Sequence, residues 1–128
     1  MRRLLVLSVL LLAGCSGFGY PTGAPRYVVF FEPFSAQLDE AAQKVLAEAA
    51  AAAKKQSDAP VTVIGYADPE GSAQTNRDLS RTRAGVVADA LIKDGVSGPR
   101  IRRRAMGSVD YSLDSLESRR VEVVLGAN

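Results

Sequence analysis

The chain has 128 residues, 47% of them hydrophobic, and a formal net charge of +2. That suffices for one modest domain with a real core and excludes a fully disordered chain. There is no His and only one Cys, so the usual general base near neutral pH, the commonest metal ligand, a disulfide framework and a Cys-rich zinc site are all missing, which argues against an enzyme.

Arg2 and Arg3 precede an apolar run from Leu4 to Ala13. At ~1.5 Å per residue it forms a helix about 15 Å long, too short for a bilayer core of roughly 30 Å. It reads as a secretory signal peptide. Its end, Leu12-Ala13-Gly14-Cys15, resembles the lipobox of bacterial lipoproteins. That resemblance implies cleavage before Cys15, lipid on Cys15 and, from Ser16, sorting to the outer membrane. Residues 1–14 are then a lipoprotein signal peptide and 15–26 a lipidated Cys with a Gly- and Pro-containing tether. Without Arg2 and Arg3 the basic residues fall from 16 to 14, against 14 acidic ones. A balanced charge gives no case for nucleic acid.

The domain proper occupies residues 27–128. Tyr27 to Phe31 is a β-branched and aromatic run, hence a buried strand, which Pro33 ends. Asp39 is a helix N-cap, and the helix runs to about Gln56 with Leu38, Ala42, Val45, Leu46, Ala49 and Ala53 on its core stripe. Val61 to Tyr66 is the second strand, with Val61, Val63 and Gly65 on one face. Gly65 admits a close neighbour to the backbone. After the turn at Asp68-Pro69-Glu70-Gly71, a helix is expected from Thr75 or Asn76 to about Asp94, its stripe formed by Leu79, Val86, Val87, Ala90 and Leu91. Arg100 to Met106 reads as a strand with a basic exposed face, and Gly107 to Glu117 as a polar loop. Arg119 to Leu125 is the last strand, with Val121, Val123 and Leu125 inward. The order β-α-β-α-β-β predicts an α+β fold with two helices on one face of a mixed sheet.

Arg83 lies four residues from both Leu79 and Val87, on the stripe that faces the core. A buried guanidinium needs partners, and Asp68 at the end of the preceding strand is the obvious candidate. Two readings stand side by side. The pair is a structural ion pair that pins helix to strand, or it is a split site whose carboxylate takes a ligand ammonium and whose guanidinium takes a ligand carboxylate.

These residues resemble the OmpA-like peptidoglycan-binding domain family. The family pattern is Gly-His-Thr-Asp, then Gly, Asn, Leu-Ser-x-x-Arg-Ala and later Asn-Arg-Arg-Val-Glu. Here it reads Gly65-Tyr66-Ala67-Asp68, Gly71, Asn76, Leu79-Ser80-Arg81-Thr82-Arg83-Ala84 and Ser118-Arg119-Arg120-Val121-Glu122. Phe30 to Leu38 also matches the family's first strand and helix entry. Tyr66, Ala67 and Ser118 depart from the family's His, Thr and Asn. The resemblance implies a non-catalytic outer-membrane lipoprotein whose domain faces the periplasm. It implies that Asp68 and Arg83 bind the meso-diaminopimelate of a peptidoglycan stem peptide. Asn76 becomes a second contact or a helix cap, Leu79 a pocket wall and Arg120 a residue closing the site, while Arg119 fits a solvated face equally well. No metal or other cofactor is implied. The alternative is an interaction subunit of the same fold, working with envelope protein partners in a Tol-type, secretion or motility assembly, with a purely structural Asp-Arg pair.

Overall fold

The computed structural model describes residues 23–56, 58–109 and 115–126. Residues 1–22, which include the expected signal peptide, Cys15 and most of the expected tether, lie outside the described residues.

Alternation in the second strand, β2 (Val61–Ala67), sets the layers. Val61, Val63, Gly65 and Ala67 are buried, and Thr62, Ile64 and Tyr66 are half-buried. The inward set packs beneath two helices, α1 (Glu40–Lys54) and α2 (Ala73–Lys93). Strands β1 (Arg26–Phe30), β3 (Ile101–Ser108) and β4 (Arg120–Leu125) complete the sheet, with a short helix α3 (Ser115–Ser118) before β4. The spatial order is β1-β4-β2-β3. β4 is antiparallel to β1 and β2, and β2 is parallel to β3. The expected α+β fold, two helices on one face of a mixed sheet, is therefore present, and α3 is an addition to it.

Helix α1 starts at the expected cap: Asp39 Oδ1 accepts the Ala42 N–H at 2.7 Å. Its Ala42, Leu46, Ala49, Ala50 and Ala53 are buried against Val29, Val61, Val63, Val121, Val123 and Leu125 of the sheet. The described core begins at Tyr27. Arg100, expected on the strand's basic face, turns inward instead. It donates to the Ala53 carbonyl in the last turn of α1 and to the Gln56 and Ala59 carbonyls just beyond it, where a cation also suits the helix dipole.

Helix α2 begins earlier than the sequence suggests. Ser72 is its N-cap, accepting the Thr75 N–H at 3.1 Å. Its buried face is Asn76, Ser80, Arg83, Ala84, Val87, Ala88 and Leu91. Leu79, Val86 and Ala90 sit half-buried at the flanks. The first half of the core-facing stripe is thus polar, and partners make that tolerable. Ser80 Oγ donates to the Arg77 carbonyl at 2.9 Å and accepts the Gly107 N–H at 3.0 Å.

Gly65 admits this helix. A Cβ there would lie 2.1 Å from the Ser80 carbonyl oxygen and 3.2 Å from the Ala84 Cβ. Both obstacles are part of a rigid helix, so Gly65→Ala must push α2 off the sheet. It is expected to cost about 3 kcal/mol or more, a fall in Tm on the order of 10–20 °C for a domain of this size. Thermal unfolding followed by circular dichroism checks this.

Candidate functional site

The site forms at the end of the sheet where β1 and β2 finish and β4 begins. Asp68 follows β2 directly and is 8% exposed. Its Oδ1 accepts the Glu70 N–H at 3.3 Å, an Asx-type contact that shapes the turn. Its Oδ2 lies 3.7 Å from Arg119 Nη1. An ionised carboxylate offers about four acceptor positions. One long hydrogen bond and one loose ion pair leave room on Asp68 for a further cation.

Arg83 is fully buried, the largest side chain in the described core with no exposure. Its Nε donates to the Ser35 carbonyl at 2.8 Å, Nη1 to the Tyr66 carbonyl at 3.1 Å and Nη2 to the Glu32 carbonyl at 3.1 Å. The guanidinium also lies 5.2 Å from the centroid of the Phe31 ring. Burial lowers its pKa, the charge of Asp68 acts the other way, and Arg119 adds to the lowering. Among the described residues Arg83 forms no ion pair: Asp68 pairs with Arg119 instead. The ion pair that pins helix to strand is therefore replaced by something broader. Arg83 ties α2 to the end of β2 and to the turn after β1.

That turn is strained. Ser35 N–H donates to the Glu32 carbonyl at 3.1 Å, closing Glu32-Pro33-Phe34-Ser35. Phe34 takes φ 55°, a position that ordinarily calls for Gly or Asn. The conformation directs two carbonyls at Arg83. A depression of about 490 Å³ lined by Phe31, Glu32, Ser35, Leu38 and others adjoins this turn, but Asp68, Arg83 and Arg119 do not line it.

The remaining residues fall out as follows. Asn76 is 2% exposed and donates from Nδ2 to Ser108 Oγ at 2.9 Å. It ties α2 to β3 and is not the helix cap, since Ser72 holds that place. Leu79 is half-buried on the flank of α2. Arg120 turns away from Asp68: it stacks 4.1 Å from the Tyr66 ring centroid and donates to Glu122 Oε1 at 3.2 Å and the Glu117 carbonyl at 2.6 Å. Arg119 comes to Asp68 instead, with Nε donating to the Phe31 carbonyl at 3.0 Å. Neighbouring residues entering a strand point to opposite faces. With Val121, Val123 and Leu125 inward, that parity already assigns Arg119 to the side of the helices and Arg120 to the other. Ser118, in place of the family's Asn, is 2% exposed. Cys15 lies outside the described residues. Among the described residues, no group of His, Cys, Asp and Glu is placed to hold a metal ion.

A sequence profile of the OmpA family matches residues 30–120, from the end of β1 to the start of β4. The chain belongs to the OmpA family. This OmpA-family chain is 37% identical over 103 residues to the probable lipoprotein YiaD of Escherichia coli, covering 76% of this chain and 47% of that one. It is 36% identical over 110 residues to the peptidoglycan-binding protein ArfA of Mycobacterium tuberculosis, covering 81% and 33%. It thus spans about half of the first relative and a third of the second. The fold also matches the crystal structure of the peptidoglycan-associated lipoprotein from Burkholderia pseudomallei, with TM-score 0.72 and 24% identity over 77% of this chain and 89% of that one.

Two predictions follow from the geometry. Arg83→Ala removes the guanidinium from three backbone carbonyls, of which that of Glu32 keeps the Ser35 N–H, and the expected loss is about 3 kcal/mol or more. Arg83→Lys recovers only part of it, because one ammonium cannot replace a planar fork aimed at three acceptors; urea unfolding of both variants measures this. Phe34→Gly releases strain of ~1–3 kcal/mol at the cost of ~0.5–1 kcal/mol in chain entropy. A net gain of about 1 kcal/mol in the same unfolding experiment is expected.

Proposed function

We propose that this OmpA-family domain is a non-catalytic peptidoglycan-binding module, and that its ligand is the zwitterionic end of meso-diaminopimelate in the stem peptide. In this reading Asp68 takes the ligand ammonium, and the guanidinium of Arg119, backed by the N–H groups that Arg83 retains, takes the ligand carboxylate. The observation that carries it is the state of Asp68: a nearly buried carboxylate at a turn, beside two guanidiniums, with a 3.7 Å ion pair as its shortest contact to either. Charge-assisted hydrogen bonds contribute roughly 1.5–3 kcal/mol each, and a carboxylate-guanidinium match adds geometric selectivity. In this reading Asn76 and Leu79 contribute from α2, and Arg120, engaged with Tyr66 and Glu122 on the opposite face of the sheet, takes no part. The relative named as peptidoglycan-binding supports the ligand class.

The proposed setting is a lipoprotein, with Cys15 lipidated in the outer membrane, the domain in the periplasm and the protein linking membrane to wall. The poles of the domain suit that role. β1 begins at Arg26, where the tether ends, and runs parallel to β2, at whose far end Asp68 lies. A strand of seven residues spans about 20 Å, and an extended tether of eleven residues adds at most ~35–40 Å. Tension between anchor and ligand then runs along the strands. Weak single contacts beside a polymer add up through effective concentration.

A second reading has its own support. Each of the three guanidinium nitrogens of Arg83 already donates to a backbone carbonyl, which suits a structural arginine in an interaction subunit that binds an envelope protein partner.

Retention of the chain from Ser16 onward on purified diaminopimelate-type sacculi, with lysine-type sacculi in parallel, separates the two. Binding to the first and not the second is expected, because lysine lacks the carboxylate that the arginines would match. Asp68→Asn and Arg119→Gln, with unchanged melts, are expected to lower retention at least about tenfold, the loss of one charge-assisted contact. Retention unchanged in both variants, or none by the parent chain, leaves the interaction-subunit reading.

A further inference from the structure

The face of the sheet turned away from α1 and α2 carries no covering element among the described residues, and its charge is one-sided. Register places Arg26 of β1 and Arg102 of β3 in one cross-strand row, through Val124 and Thr62. Arg104 ends the next row, through Ile64 and Glu122. Arg120 stands over Tyr66 in the row beyond. Four arginines therefore share this face with one carboxylate.

That carboxylate, Glu122, is 8% exposed and already engaged. It accepts from Arg26 Nη1 at 3.4 Å, from Arg120 Nε at 3.2 Å and from the Tyr66 hydroxyl at 3.5 Å. It holds two of the arginines in place without neutralising the face. Arg102 and Arg104 are exposed and make no ion pair or side-chain hydrogen bond among the described residues. Arg103, pointing the other way, is paired with Asp89 at 3.3 Å.

The layout selects the kind of partner. Strands lie about 4.8 Å apart, so the row from Arg26 to Arg102 spans roughly 14 Å. Cations spread flat over that width do not converge on one small anion. They match a plane of repeated anions, and guanidinium suits the oxygens of phosphate. Exposed apolar side chains flank them, Phe30 at 41% and Met106 at 54%. A second copy of the chain set face to face would meet its own charge.

We propose that the open face of the sheet is a docking surface for an anionic phospholipid membrane. Lipid phosphates engage Arg102 and Arg104, with Arg26 and Arg120 beside them, and Phe30 and Met106 enter the interface. The surface is separate from the Asp68 site and does not depend on what that site binds.

The test uses the chain from Ser16 onward, which lacks Cys15 and retains the whole described core. Its co-sedimentation is measured with vesicles of phosphatidylcholine alone and of phosphatidylcholine mixed with phosphatidylglycerol. Binding to the mixed vesicles only, weakening as salt is raised, is expected. Arg102→Glu with Arg104→Glu is expected to reduce it about tenfold or more, with an unchanged melt and unchanged retention on sacculi. Asp68→Asn is expected to leave vesicle binding intact. Equal binding to neutral vesicles, no binding to anionic ones, or indifference to the double charge reversal overturns the proposal. The last two results would redirect attention to an acidic protein surface.

Discussion

Burying the guanidinium of Arg83 obliges three stretches of backbone to converge. A cation removed from water is tolerated only where strong acceptors replace its hydration. Here the acceptors are the carbonyls of Glu32, Ser35 and Tyr66, from two segments far apart in the chain. The turn after β1, the end of β2 and the middle of α2 are positioned together by one side chain. The left-handed backbone at Phe34 is intelligible in that light, because it turns two of those carbonyls toward the guanidinium. Asp68, one residue beyond Ala67 and two beyond a carbonyl that Arg83 holds, is placed as a consequence.

The same constraint explains the polar start of the α2 stripe. A helix that carried Leu at positions 76, 80 and 83 would pack, but it would leave the ends of β1 and β2 without their tie. The chain spends its apolar contacts on the second half, through Val87 and Leu91, and uses hydrogen bonds in the first. Close approach supplies the rest. With no Cβ on Gly65, the Ser80 carbonyl reaches the strand backbone, and Ser80 Oγ reaches the Gly107 N–H on β3. Brace and close approach together tie the end of the sheet that carries Asp68 to α2.

The two faces of the sheet have different chemistry because each strand alternates. Val121, Val123 and Leu125 face the helices, and Arg120 and Glu122 face outward. β3, at the edge of the sheet, is exposed from Arg102 to Met106. Its arginines also guard that edge against pairing with another strand. The domain thus carries Asp68 and Arg119 at one pole, the start of β1 at the other and a row of arginines along its open side.

Much of this was legible from residue order. Period-two and period-3.6 patterns located four strands and two long helices within a few residues, because each buries one face against a shared core. The spaced motifs around Asp68 and Arg83 marked the family, which the profile over residues 30–120 shows, and the position of Arg83 on a core stripe required that it be buried and partnered. What the pattern could not supply was the identity of the partners. Backbone carbonyls are present at every residue and leave no mark in the sequence, so Asp68 looked like the obvious match for Arg83. Arg119 against Arg120, Ser72 against Asn76 as the cap, and Arg100 as the closure of α1 depended on which groups meet across long separations. The sequence by itself determined which residues are charged, which are apolar and at what spacing they recur. Only the tertiary structure decided which charges meet, because hydrogen bonds and ion pairs reach just a few ångströms and the chain places distant residues within that reach only once it is folded.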